Sequence, residues 1–213
     1  IEALDVAASA ATNAGCPELI GTSSLFTPAM LSSLWSWIPR RYTDDTFALV
    51  FQTQRDGYNM ETLLRLADNL SPLVLVLQTT RGAVVGAYLS TGFESSSTGS
   101  FSGSGETFIF SLHPDMRKYT WRPGRPAHFV RVTDAQIAVG GGGGVNAGYG
   151  LWIDSELLHG GSVRSRTFAN DPLVAPDTHF ECTSLELWAF STELPAHVLA
   201  DVLERITSNS PSL

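Results

Sequence analysis

Asp177, His179 and Glu181 alternate along the chain, and on an extended strand that spacing sets all three side chains on one face. Two carboxylates beside an imidazole can hold a metal ion or move a proton. The same row is equally what an edge strand shows to solvent when its other face buries Phe180 and Cys182. Glu106 poses a related question. It follows the flexible Gly103-Ser-Gly105 and stands at the mouth of the apolar run Thr107-Phe-Ile-Phe110. A carboxylate there is costly to bury unless backbone N–H groups or an arginine satisfy it. It is therefore a structural acceptor, a general base or a contact for a partner. Glu186, inside Leu185-Glu-Leu-Trp-Ala-Phe190, raises the same choice. Glu106 together with Glu186 or His159 would serve a hydrolase or a peroxide-handling enzyme only if the fold brings the groups within proton-transfer distance.

Five consecutive glycines, Gly140, Gly141, Gly142, Gly143 and Gly144, follow Ile137-Ala-Val139 and precede Val145-Asn-Ala-Gly-Tyr-Gly150. Such a run admits positive φ and close backbone approach. A phosphate loop would end in Gly-Lys-Ser/Thr and open a helix, but the chain has no Gly-Lys pair and strand-like Tyr149 to Ile153 comes next. The run is read as a structural crossover. No Gly-x-Ser-x-Gly elbow and no His-Glu-x-x-His helix occurs, and the five histidines are dispersed. No cofactor and no metal site is assigned.

The net charge of −8 argues against an extended grip on nucleic acid. Of thirteen basic residues only Lys118 is a lysine. Arg40 with Arg41, Arg117 with Lys118, and Arg164 with Arg166 are candidate patches for phosphate or carboxylate groups, with Arg40 and Arg41 the lipid-phosphate candidates; scattered surface charge explains the same residues. Cys16 and Cys182 are far apart, which suggests neither a disulfide framework nor a metal set. Nothing resembles a signal peptide or an apolar membrane span, so a cytoplasmic location is expected. A chain that starts at Ile1 is expected to be a fragment or a processed form.

The elements that must position these residues form one domain, from about residue 24 to 213, behind a flexible segment 1–23 with little to bury. Thr27-Pro28 is a helix start, with a hydroxyl cap and proline in the first turn. Met30, Leu31, Leu34, Trp35 and Ile38 then recur at helical spacing until Pro39. A second helix begins near Asn59. Phe47 to Phe51 reads as a strand, and Leu73-Val-Leu-Val-Leu77, apolar at every position, as a strand covered on both faces. Arg81-Gly82 turns it into Ala83 to Leu89. Residues 90–105 form a Ser/Gly-rich tract, expected to be a mobile loop. Further strands are read at Phe108 to Leu112, Phe129 to Val132, Ile137 to Val139 and Ser184 to Phe190, and a last amphipathic helix from Pro195 to about Ile206. Many short strands without βαβ alternation predict an α+β, mainly β chain: a two-sheet antiparallel β-sandwich with flanking helices.

Taken together and in order, Gly103-Ser-Gly-Glu-Thr-Phe-Ile-Phe110, Ala138-Val-Gly-Gly-Gly-Gly-Gly144, Leu151-Trp-Ile-Asp154, His159-Gly160, Thr167-Phe-Ala-Asn170 and Glu186-Leu-Trp-Ala-Phe190 resemble a TLDc domain over about Ser24 to Phe190. The Asn146-Ala-Gly-Tyr-Gly150 insertion and the C-terminal helix are most similar to the branch in which TLDc follows a Rab-GAP-like TBC domain, the Skywalker type. The resemblance implies a β-sandwich without an established reaction: a non-enzymatic interaction module tied to oxidative-stress resistance, to binding the vacuolar proton pump and to synaptic vesicle trafficking. It implies a location peripheral to vesicles or endosomes, presynaptic, with any Rab GTPase activation belonging to a TBC domain in cis. The positions it carries over, as partner-binding or fold-determining residues, are Gly105, Glu106, Thr107, the glycines from Gly140 to Gly144, His159, Gly160 and Glu186.

Overall fold

The computed structural model describes residues 16–93, 99–142 and 148–208. Strand β1 (Leu19–Ile20) pairs in parallel with β2 (Phe47–Gln52), and the remaining pairings are antiparallel. Between them lies helix α1 (Pro28–Trp37), where the Thr27 hydroxyl accepts the Met30 N–H and Pro28 opens the first turn, as the cap residues require. Helices α2 (Thr53–Asp56) and α3 (Met60–Leu66) follow β2, and Asn59 caps α3. Strands β3 (Leu73–Thr79), β4 (Val84–Leu89), β5 (Phe108–His113) and β6 (Arg117–Thr120) form a meander. A second antiparallel run comprises β7 (Val130–Val132), β8 (Gln136–Val139), β9 (Leu151–Asp154) and β10 (His159–Gly161). Strand β11 (His179–Phe190) joins the two runs, and helix α4 (Ala196–Ser208) ends the described chain.

The hydrogen-bonded path runs β6-β5-β4-β3-β11-β10-β9-β8-β7, with β2 also on β11. It folds into the expected two layers because β11 changes partners along its length. His179 to Glu181 pair with β10, Glu186 to Phe190 pair with β2, and Cys182 to Ala189 pair with β3 on the other side. A bulge between Cys182 and Ser184 marks the change, the usual device for re-aiming a strand.

Period-2 alternation then separates two apolar cores. Leu73, Leu75 and Leu77 join Val85, Ala87, Ile109, Val130, Ile137, Leu151, Leu185 and Leu187 between the sheets. Val74 and Val76 join Trp188, Phe190, Tyr88, Phe108 and Phe110 on the outer face, where Met30, Leu31, Leu34 and Trp35 of α1 cover them. The strand read as covered on both faces is so covered, by a sheet on one side and a helix on the other.

Three strands escape the sequence reading. β1 lies inside the segment expected to be flexible, and β6, Arg117-Lys-Tyr-Thr120, looks like a basic patch. β6 is the polar edge of the sheet, and edges of this kind are charged. Lys118 bends inward there, donating from Nζ to the Trp37 carbonyl at the end of α1 (2.8 Å) and lying 4.2 Å from the Phe108 ring centre. β10 is His-Gly-Gly and carries no apolar signal. Of the Ser/Gly-rich tract, 94–98 fall outside the described residues. Its flanks are fixed: Ser102 bridges Val130, and the Ser104 N–H donates to Ser90 Oγ (2.8 Å).

α4 packs on its own domain. Val202 is buried and the Arg205 guanidinium donates to the Val50 carbonyl (3.1 Å), while Leu203 stays exposed. Gly86 on β4 has no room for a side chain, since a Cβ there would come within 2.6 Å of the Phe110 ring. Gly86→Ala is therefore expected to lower stability by about 2 kcal/mol through overpacking, read as a fall in the urea midpoint at unchanged slope.

Candidate functional site

The two candidate carboxylates have opposite fates. Glu186 lies on the outer face of β11 and is fully buried. Its Oε2 accepts Ser23 Oγ (2.7 Å) and Trp188 Nε1 (3.0 Å). Its Oε1 accepts the Ser24 N–H (2.7 Å), Ser24 Oγ (3.0 Å) and Gln52 Nε2 (3.3 Å). Five donors from three chain segments replace the water that burial removes. Ser23 is itself held, because its Oγ accepts the N–H groups of Leu25 and Phe26 (both 3.0 Å). Glu186 thus pins the chain entering α1 to the middle of β11.

Glu106 stands in solvent. Arg41 grips it bidentately, Nη1 to Oε1 at 2.7 Å and Nη2 to Oε2 at 2.5 Å, with the side chains 51% and 46% exposed. The guanidinium holds the Glu106 carboxyl below the usual carboxylate range. That attraction is present above the ordinary carboxylate pKa and lost as pH falls through the lowered one. Screening at this exposure keeps it under about 1 kcal/mol. Arg41 also lies 4.7 Å over the Tyr42 ring, so of the two lipid-phosphate candidates it is already committed, whereas Arg40 is simply exposed. Thr107 is buried and accepts the Ser90 N–H (3.2 Å) at Oγ1, and a Cβ on Gly105 would meet the Trp121 ring at 2.6 Å. Thr107 is thus turned into the fold, while Gly105 stays exposed in close approach to Trp121.

Glu106 and Glu186 are not a pair. Strands β3 and β4 separate β11 from β5, which at about 4.8 Å per strand puts roughly 14 Å between their backbones. His159 is paired elsewhere, its Nδ1 3.0 Å from Asp154 Oδ2 across the β9–β10 turn. Asp154 Oδ1 also accepts the N–H groups of Leu158 (3.0 Å) and His159 (3.2 Å). Asp154, Glu156 and His159 bring potential ligand atoms within 4.8 Å of one another, and the hydrogen bonds of Asp154 to Leu158 and His159 lock the hairpin turn. Gly160 packs under the Phe180 ring, 2.6 Å from where its Cβ would be.

The glycine run, read as a structural crossover, lies between the adjacent antiparallel strands β8 and β9 and is therefore part of a hairpin connection; Gly143 and Gly144, with 145–147, lie outside the described residues. Gly140 has φ +74° and its N–H donates to the Phe129 carbonyl (2.8 Å). Gly141 donates to Thr167 Oγ1 (3.2 Å), and its carbonyl accepts the N–H groups of Arg166 (3.1 Å) and Thr167 (3.3 Å). Side chains at 140 and 141 would strike Phe168 and Phe101.

The Asp177, His179, Glu181 row is only partly a strand face. Asp177 precedes β11 in a turn and forms an ion pair with Arg81, while His179 and Glu181 are exposed, with Phe180 half-buried and Cys182 buried behind them. Asp177, His179, Phe180 and Glu181 line a groove of about 670 Å³ with the Thr79–Ala83 turn, His113, Trp152, His159 and the loop 174–176. The sequence held the row but gave no sign of the groove, whose walls come from five separate segments.

A helix-flanked, two-sheet antiparallel sandwich with one carboxylate spent on folding and another displayed defines the class: an α+β, mainly β domain. The TLDc domain model matches residues 19–191, and the chain belongs to that family. It is 33% identical to Oxidation resistance protein 1 of Rattus norvegicus over 175 residues, 82% of this chain and 20% of that protein. It is 33% identical to the Homo sapiens protein of the same name over 82% of this chain and 19% of that protein. With Nuclear receptor coactivator 7 of Mus musculus the identity is 31% over 83% of this chain and 18% of that protein. The chain thus spans about a fifth of the length of the curated relatives it matches. Among the described residues no helix is long and apolar enough to cross a membrane.

Glu186→Ala leaves several buried donors unpaired and is expected to cost about 3 kcal/mol or more, on the order of 10 °C in melting temperature. Glu106→Ala should move it by no more than a few degrees; melts of both variants beside the parent decide. Burial pushes the Cys182 thiol up to about 12, so its stabilising preference for the neutral thiol holds below the ordinary thiol range and is lost as pH rises towards 12. In a thiol-labelling titration of the native protein at pH 8, Cys182 should stay unmodified until denaturant is added.

Proposed function

We propose that this domain is a non-enzymatic interaction module that supports oxidative-stress resistance by docking on partner proteins, the vacuolar proton pump among them. The observation that carries the reading is the division of the two family-pattern carboxylates. Glu186 is consumed by five structural donors, and Glu106 is held outward by Arg41. A preorganised exposed carboxylate beside a guanidinium suits recognition of a polar partner surface, and an acid/base pair would need the two groups together. The names of the oxidation-resistance relatives support the stress-related role. The resemblance to the TBC-bearing branch adds vesicle trafficking and a location peripheral to vesicles or endosomes at the synapse, with a TBC domain in cis as the Rab GTPase activator. The C-terminal helix and the 146–150 insertion support that branch, of which 146 and 147 lie outside the described residues.

The test is affinity capture of proton-pump subunits from vesicle extract by the purified domain, wild type beside Glu106→Ala, with melting curves of both. Enrichment by the wild type and at least a fivefold loss in a variant of unchanged melting temperature is the expected result. Equal capture by both, or none by either, overturns the Glu106 surface as the docking site. Steady peroxide turnover by the purified domain would replace the module with an enzyme.

A further inference from the structure

The groove at the start of β11 lies at the other end of β5 from Glu106, since His113 lines it and Glu106 precedes Phe108. At about 3.3 Å per residue, the two surfaces are roughly 20 Å apart along that strand. One wall of the groove is a strand edge. The ladder between β3 and β11 starts at Cys182 opposite Thr79, and its last bond beyond that is from the Thr80 N–H to the Glu181 carbonyl (2.9 Å). There the chain turns away through Arg81-Gly82 into β4. His179 to Glu181 continue past that point with β10 on the far side only. The alternation of a strand sends the backbone groups of His179 to the same side as those of Glu181, into the groove. Among the described residues no strand pairs with His179 there.

An aromatic ring flanks that edge on each face. The Phe180 ring lies over Gly160, and Trp152 meets the His179 ring edge-on at 6.1 Å between centres. The rim is acidic. Arg81 is committed to Asp177, whereas no ion pair among the described residues includes Glu181 or, on the adjacent β9–β10 turn, Glu156. The chain as a whole carries −8. The volume of about 670 Å³ falls within the range of specific ligand clefts.

We infer that this groove receives a short extended peptide segment of a partner protein, which adds as a strand to the open edge at His179–Glu181 and sets a cationic side chain on the face that Glu181 shares with Trp152. Backbone pairing supplies the register, the face bearing Glu181 and Trp152 selects Lys or Arg over Asp or Glu, and apolar side chains on the opposite face cover Phe180. The site is separate from the Glu106 surface, and either can fail without the other.

The test uses a capped heptapeptide of alternating Arg and Val, beside a Glu/Val counterpart and an Arg/Val version N-methylated at alternate amides. Each is titrated into isotopically labelled domain at low salt. Saturable shifts at the His179 and Glu181 amides and the Trp152 indole are expected for the first peptide only. At least tenfold weaker binding is expected for the N-methylated version, and likewise for Glu181→Lys against the unmodified one. The N-methylated peptide tests the edge without altering the protein, so an unfolded variant cannot obscure the answer. Equal binding of the acidic peptide overturns the charge selection, full binding of the N-methylated peptide overturns the strand addition, and shifts confined to other residues remove the site.

Discussion

Burying a carboxyl group is costly unless hydrogen bonds replace the water it loses, and here the centre of the outer layer is arranged around one, Glu186. Leu185, Leu187 and Ala189 face the second sheet, while Trp188 and Phe190 face α1. Glu186 sits in the outer set, and its five donors must come from somewhere. Trp188 supplies one from the same strand, Gln52 one from β2, and Ser23 and Ser24 the other three. The serines are delivered by the chain just before α1, so satisfying the carboxylate brings that helix onto the sheet. Phe26 then reaches the Trp188 ring at 5.8 Å, and Trp35 reaches Phe47 and Phe190 at 5.7 and 5.9 Å. A polar requirement in the layer therefore sets the register of an apolar one.

The same strand explains why the two ends of the domain differ. Towards Phe190, β11 is enclosed by β2 and β3, and the chain around it is used to close the core. Towards His179 it outruns β3, and the bulge after Cys182 turns it to serve the second sheet. A strand that must belong to two sheets leaves an unfilled corner where they diverge, and polar and aromatic side chains from the turns gather there. The groove is a geometric consequence of the sandwich rather than an added feature.

Much of the layered architecture was readable from periodicity. The uninterrupted apolar run Leu73 to Leu77 and the helical spacing of Met30, Leu31, Leu34 and Trp35 require neighbours on the faces where the structure supplies them. Thr27-Pro28 and Asn59 mark helix starts because caps are local chemistry. The strands that lack their own apolar signal were not readable: β10 is two glycines after a histidine, and β1 is two residues held by β2. The fates of the carboxylates were equally hidden. Glu106 and Glu186 both border aromatic, β-prone sequence, yet one is bathed in water and the other sealed. What separates them is Ser23 and Ser24, more than 160 positions from Glu186 in the chain. Nothing in a window around either glutamate encodes such a contact.

Display of Glu106 also depends on β11, though indirectly. A carboxylate on a glycine-flanked turn would sample many orientations by itself, and recognition would then bear the cost of ordering it. Arg41 removes that freedom with a planar two-bond grip. Arg41 is in turn positioned by the tight turn Arg40–Tyr42, whose Tyr42 ring stacks on Phe190 at 4.4 Å. Phe190 is the last residue of β11, four positions beyond Glu186. The exposed carboxylate is thus anchored through a guanidinium and a stacked ring to the strand that the buried Glu186 holds in place. Loosening the Glu186 cluster should disorder the surface at Glu106 before it unfolds the sandwich, because the connection passes through side chains of the outer layer and leaves the inter-sheet core untouched.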